Sequence, residues 1–211
     1  MKVMLIDDHP MVNSGLASIL EETGRFSVIA QVNSLSAAKK FIEDNAVQKA
    51  DLSESNFPSL IILDILLGEE NGLDFLPFLK NLCRAKKIQK PYVLVCSVLE
   101  EPFRIQTALK MGASGYMPKT GSNQEFLEAI DSVLRGETYI SEEHSAKVMK
   151  SYSLYEKFTK RELEIINLIK NNKSNRQIAD ELGLNIRTIE NHVSNIYFKT
   201  GTENRKDLLK L

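Results

Sequence analysis

The stretch Leu60-Ile61-Ile62-Leu63-Asp64-Ile65-Leu66-Leu67 reads as a buried strand that ends on an acid. Four aliphatic residues in a row suit a strand covered on both faces, because neither side of it meets water. The run is also too short for a membrane span, which needs about 20 apolar residues, and Asp64 interrupts it. A carboxylate in such surroundings is costly to desolvate without partners. Asp64 therefore demands polar company from elsewhere in the chain.

Working outward, short β-branched or aliphatic runs recur at Val3–Asp7, Phe26–Val32, Tyr92–Ser97 and Gly115–Pro118. Between them the apolar residues take helical spacing. Met11, Leu16, Ile19 and Leu20 mark one helix, and Ala37, Ala38, Phe41 and Ile42 the next. Leu73, Leu76, Leu79 and Leu82 mark a third, Phe103, Thr107, Ala108 and Met111 a fourth, and Phe126, Leu127, Ile130, Val133 and Leu134 a fifth. Punctuation agrees: Pro102 suits a first turn, Gly112 a left-handed stop, and Ser122 with Glu125 a capping box, with Gly136 after the last apolar residue. Five strands alternating with five helices imply a doubly wound α/β domain with a parallel sheet. Val47 to Ser59 is polar and reads as a long surface loop before the third strand.

In an open parallel sheet, ligands bind beyond the carboxyl ends of the strands, where strand order reverses. Asp7 and Asp8 end the first expected strand, Asp64 the third and Ser97 the fourth, and Lys119 follows the fifth. Singly, an acid after a strand is a turn former or helix cap, and a lysine is a solvated surface group. As a set they suit a phosphoryl acceptor. Gathered carboxylates repel, and a hard divalent cation relieves them; Mg²⁺ (or Mn²⁺) takes carboxylates, phosphate oxygens and waters. Asp64 is then a carboxylate nucleophile that forms an acyl phosphate. Lys119 pairs with one phosphate oxygen and the Ser97 hydroxyl donates to another.

These residues, with Leu-Ile-Asp-Asp-His at 5–9, Asn71-Gly72 after Asp64 and Gly112-Ala113-Ser114-Gly115-Tyr116 before Lys119, resemble the receiver domain of two-component response regulators. The resemblance covers about 1–135 and implies a CheY-like (βα)5 fold. It implies that Asp64 is the phosphorylation site and that Asp7, Asp8 and Asp64 bind the metal, with the backbone carbonyl of Leu66 as a further ligand. Ser97 and Tyr116 would be paired switch residues, the hydroxyl moving toward the phosphoryl group and the aromatic following it. Two positions depart from the pattern. Many relatives have proline where Gly68 stands, so the loop after Asp64 is expected to be more mobile, and Pro118 precedes the lysine where many have proline after it. His9 reads as a first-turn residue beside the pocket.

From Phe158 onward the pattern is helical only. Thr159 with Glu162 and Ser174 with Gln177 are capping boxes. Gly183 makes a turn, Asn185 caps, and Ile186, Ile189, Val193 and Ile196 line one face of a longer helix, with a final short helix over Asn204 to Leu211. A short helix, a glycine turn and a second amphipathic helix make a helix-turn-helix. On its outward face Glu190, Asn191 and Ser194 can meet base edges. Arg176, Arg187, Thr188 and Lys199 can anchor phosphates. Phe158-Thr159-Lys160-Arg161-Glu162, Ser174-Asn175-Arg176-Gln177-Ile178-Ala179 and Thr188-Ile189-Glu190-Asn191-His192-Val193-Ser194-Asn195-Ile196 resemble the LuxR/FixJ-type output domain of NarL/FixJ response regulators. That resemblance implies an all-α four-helix DNA-binding domain whose last helix supports dimer contacts.

Charge divides the same way. Residues 1–157 carry 17 Lys and Arg against 21 Asp and Glu, and residues 158–211 carry 10 against 7, so only the tail is basic. The expected organisation is a receiver over 1–135, a linker over 136–157 and a helix-turn-helix domain over 158–211. Cys83 and Cys96 sit in apolar contexts, which points away from a disulfide framework or zinc site and toward the cytoplasm. The function expected is a transcription regulator and not an enzyme, switched by phosphorylation of Asp64, with a sensor histidine kinase, double-stranded DNA and RNA polymerase as partners and a homodimer on DNA. A phosphatase of the haloacid dehalogenase type would carry Asp-x-Asp after the first strand, whereas here adjacent acids precede His9. The alternative is a receiver that regulates DNA binding without phosphorylation.

Overall fold

Successive side chains along a strand point to opposite faces, and here both faces are covered. The computed structural model describes residues 1–46, 56–146, 148 and 158–209, and the chain divides into units Met1–Val148 and Met149–Leu211. The first unit holds β1 (Lys2–Ile6), β2 (Ser27–Val32) and β3 (Leu60–Leu63), then a small antiparallel hairpin of β4 (Leu66–Leu67) and β5 (Glu70–Asn71). β6 (Tyr92–Ser97), β7 (Gly115–Pro118) and β8 (Tyr139–Ile140) complete a parallel sheet in the order β2-β1-β3-β6-β7-β8.

The helices are α1 (Pro10–Glu22), α2 (Leu35–Asn45), α3 (Phe75–Lys86), α4 (Pro102–Met111) and α5 (Asn123–Leu134). Val3, Leu5, Leu60, Ile62, Leu94 and Cys96 share a core with Leu20 of α1 and Phe126, Ile130 and Val133 of α5. The alternate residues Met4, Ile6, Ile61, Leu63, Val93 and Val95 join Ile42 of α2, Leu76 and Leu79 of α3, and Ile105 of α4. Burying each such side chain contributes about 1.5–3 kcal/mol, so the continuous aliphatic strands are what hold the two helical layers to the sheet. The expected helix signals work as read: Pro102 is in the first turn of α4, Gly112 ends it at φ +106°, and Ser122 and Glu125 form the capping box of α5.

The sheet has one strand more than the five expected. β8 pairs with β7 through Gly115↔Tyr139 and Tyr116↔Ile140, inside the stretch read as linker. Two residues carry no periodicity, which is why the pattern did not reveal it. Of the expected loop Val47 to Ser59, residues 47–55 lie outside the described residues, as do 147 and 149–157 of the expected linker.

The second unit contains α6 (Lys160–Lys170), α7 (Asn175–Leu182), α8 (Ile186–Thr200) and α9 (Arg205–Leu208). Capping boxes at Thr159/Glu162 and Ser174/Gln177 start the first two, and Gly183 at φ +62° ends α7. Ile165, Ile166, Ile169, Ile178, Ile189, Val193, Ile196 and Leu208 are buried. Ile186 is not: as the first residue of α8 it is 44% exposed and lies outside the apolar stripe expected to include it.

Candidate functional site

Parallel register carries the acids of the first unit to one sheet edge. Ile6 pairs with Leu63, and the Asp64 N–H donates to the Ile6 carbonyl at 2.9 Å, which sets Asp7 beside Asp64. β1 and β3 diverge in strand order at this point, the position where an open sheet leaves a crevice. From the other side, Ser97 pairs with Pro118 and the Lys119 N–H donates to the Ser97 carbonyl at 3.0 Å. The five groups expected to converge therefore do so.

Asp7 is 4% exposed and Asp64 2%. Lys119 Nζ lies 2.5 Å from Asp7 Oδ2 and 2.6 Å from Asp64 Oδ2. Burial works to lower the pKa of this ammonium, but its hydrogen bonds and attraction to the two carboxylates outweigh that and raise it above the usual lysine value. One cation thus bridges two buried acids and balances one of their two charges. His9 Nδ1 stands 2.7 Å from Asp8 Oδ1 and 3.2 Å from Asp7 Oδ1, at the rim. Asp64 Oδ1 is left buried with no hydrogen-bond partner among the described groups.

That unpartnered oxygen points to an absent cation. Asp7, Asp8, His9 and Asp64 each present one ligand atom, and these atoms lie within 4.8 Å of one another. A set dominated by carboxylate oxygens fits a hard divalent ion. Leu66, the expected source of a backbone ligand, lies in β4 two residues beyond Asp64 and is 41% exposed.

Two glycines shape the pocket. A Cβ at Gly72 would collide with the backbone carbonyl oxygen of Asp64, so no larger residue fits there without moving the acid. Gly68 opens the β4–β5 turn at φ +62°, the left-handed conformation that a two-residue hairpin needs at its first position. Its N–H donates to Asp8 Oδ2 at 2.9 Å, a bond that proline has no hydrogen to make, and Glu70 Oε2 accepts from the Leu35 N–H at 3.0 Å. The segment expected to be a loose loop is a hairpin fixed at two points.

Ser97 is fully buried, and Tyr116 is 2% exposed with its hydroxyl donating to the Leu99 carbonyl. Burial, with repulsion from Glu101 second, raises the Tyr116 phenol well above its ordinary range, so it is a neutral donor. Asn13 was not legible as a site residue. It is buried on α1, and its Nδ2 donates to the Asp7 carbonyl at 2.7 Å; a lone amide on an apolar helix face was the available signal.

In the second unit Asn191, Ser194 and Glu190 are exposed along α8, Arg187 is exposed and 3.5 Å from Glu190, and Arg176 is exposed on α7. Thr188 is half-buried. Lys199, expected as a phosphate anchor, meets a carboxylate of its own domain. Its Nζ lies 2.8 and 2.6 Å from the two oxygens of Glu162, whose side chain is 4% exposed, so this cation is engaged inside the domain. A buried carboxylate requires partners, and Lys199 supplies the cation while the Thr159 N–H and hydroxyl donate to Oε2.

The chain matches the family model for the response regulator receiver domain over residues 3–131 and that for bacterial regulatory proteins of the luxR family over residues 156–211. It is 29% identical to the transcriptional regulatory protein LiaR of Bacillus subtilis, covering 97% of this chain and 92% of the relative. It is 31% identical to the response regulator protein VraR of Staphylococcus aureus, over the same shares. A structure of two RcsB dimers bound to two parallel DNAs aligns with a TM-score of 0.64 at 21% identity, covering 100% of this chain and 96% of that one, which speaks to fold. Among the described residues no helix is long and apolar enough to cross a membrane.

Proposed function

Because the chain belongs to the response regulators that join a receiver domain to a LuxR-type domain, we propose that Asp64 is its phosphoacceptor and that phosphorylation there switches its binding to DNA. The chain is a DNA-binding transcription regulator of the two-component type and not an enzyme. The observation that carries the Asp64 assignment is the state of its two oxygens. Lys119 holds Oδ2, and Oδ1 is buried without a partner.

A carboxylate oxygen of Asp64 attacks phosphorus, forming a P–O bond as the P–N bond of a phosphohistidine on a sensor kinase breaks. The electron pair leaves with the imidazole, which takes up a proton. With a small acyl phosphate the broken bond is P–O and a carboxylate leaves. Asp7, Asp8, Asp64 and the Leu66 carbonyl would hold Mg²⁺ (or Mn²⁺), which would supply charge neutralisation at the phosphoryl oxygens. Lys119, freed from Asp64 Oδ2, pairs with a phosphoryl oxygen, and the Ser97 hydroxyl donates to another. Ser97 leaves its place beside Tyr116, and the ring follows as the paired switch residue.

This reading includes a receiver over 1–135, a linker over 136–157 and a DNA-binding domain over 158–211, acting in the cytoplasm with RNA polymerase as a partner. α8 enters the major groove, with Glu190, Asn191 and Ser194 toward bases and Arg176, Arg187 and Thr188 toward phosphates. The exposure of Glu190, Asn191, Ser194, Arg176 and Arg187 supports that placement. RcsB is bound to DNA as dimers, and a homodimer here would take paired half-sites. Selection of duplexes from a random library by the full chain tests it. With acetyl phosphate and Mg²⁺, paired half-sites should be enriched about tenfold over the untreated chain, and Asp64→Asn should show no such gain. Equal enrichment in every case would favour a receiver that acts without phosphorylation.

A further inference from the structure

Residues 139–146 run from the sheet edge to the loop that follows β6. β8 lies beside β7, and Ser141 opens a helical turn in which the N–H groups of His144 and Ser145 donate to the Ser141 carbonyl. His144 is 2% exposed. Its Nδ1 is 2.6 Å from Ser141 Oγ, and its Nε2 is 3.2 Å from Glu100 Oε2. Glu100 Oε1 in turn accepts from the Thr120 hydroxyl at 3.4 Å. With a proton on Nε2 the ring donates to Glu100, and Nδ1 can then accept from the Ser141 hydroxyl. Farther along, buried Gln106 of α4 donates from Nε2 to the Val148 carbonyl at 3.2 Å, and Val148 belongs to the same apolar cluster as Tyr116.

Glu100 follows Ser97 by three residues, and Thr120 follows Lys119 directly. We propose that His144 is a positioning residue of the phosphoryl switch, clamping the two loops that carry Ser97 and Lys119 to residues 139–148, the stretch of chain that leads toward the DNA-binding unit. The proposal rests on Asp64 being the phosphoacceptor. A phosphoryl group adds charge and bulk within reach of Lys119 and Ser97, and both must re-aim to meet it. Their loops cannot shift without stretching the Glu100–His144 link. Because the His144 imidazole is itself buried, its N–H is either held by Glu100 or left without a partner, which converts a small displacement into retention or release of the segment.

The test uses the full chain as wild type, His144→Ala, His144→Gln and Glu100→Met, each with acetyl phosphate and Mg²⁺. Intact mass follows the half-life of the adduct, and deuterium uptake follows the amides of 139–146. In wild type, phosphorylation should change uptake in this segment by about tenfold. In His144→Ala and Glu100→Met the uptake should be fast and equal in both states, and the adduct half-life should shift several-fold. His144→Gln, whose amide N–H reaches toward Glu100, should restore both. Glu100→Met, at a side chain 41% exposed, removes the acceptor without opening a cavity and stands in if His144→Ala does not fold. Faster exchange with an unchanged half-life would mean a structural role only and overturn the proposal, as would no change at all; in both cases the Asp64 assignment stands. No adduct on wild type would remove that assignment, and this proposal with it.

Discussion

At position 72 a methyl group has nowhere to go, because the Asp64 carbonyl occupies its place. Gly72→Ala must therefore displace either the hairpin or the acid. The expected cost is about 1–3 kcal/mol in denaturant unfolding, with phosphoryl uptake slowed well beyond the loss of folded chain. Lys119 sets a second residue-scale expectation. Its raised pKa means that its contribution to stability is fully present below the unfolded lysine value of about 10.4 and is lost as pH rises through the folded value. Thermal melts between pH 8 and 11 should show wild type losing its advantage over Lys119→Met only at the alkaline end. An advantage that faded near pH 7 would mean that the ammonium is not held by Asp7 and Asp64.

Among the elements, α6 and α8 are joined by Glu162 and Lys199. Burial pushes the Glu162 pKa up, but the Lys199 ammonium and the Thr159 donors outweigh it and hold the carboxyl below its ordinary range. A depressed carboxylate stabilises above its unfolded pKa of about 4.3, and that contribution disappears as pH falls through the folded value. Glu162→Gln should thus cost about 2 kcal/mol at pH 7, read from the helical transition, and almost nothing well below pH 4. Legibility differed by element in the same physical terms. β3 was plain because four aliphatic residues leave no other reading, and the Ser122/Glu125 and Thr159/Glu162 boxes announce helix starts through local hydrogen bonds. β8 was hidden by its two-residue length. The hairpin after Asp64 was misjudged as loose because its anchors, Asp8 and Leu35, are distant in sequence from Gly68 and Glu70. Lys199 was assigned to phosphate for a similar reason: its partner lies 37 residues away.

On the scale of the whole molecule, an acidic unit that can accept a phosphoryl group is joined to a basic unit with an exposed polar helix face, and the function follows from the two together. Asp7, Asp8, Asp64, Ser97 and Lys119 were legible as a set because parallel strands deliver their C-terminal residues to one edge. The link through His144 was not, since a histidine in a polar stretch signals nothing until its neighbours are known. The central claim is that Asp64 takes the phosphoryl group. Intact mass of the full chain after incubation with acetyl phosphate and Mg²⁺, set beside Asp64→Asn, tests it most directly. The expected result is one phosphoryl adduct on wild type that chelation of the metal prevents, and none on Asp64→Asn. An adduct of equal yield on both would place the acceptor elsewhere, and no adduct on folded wild type would leave the pocket without the chemistry assigned to it.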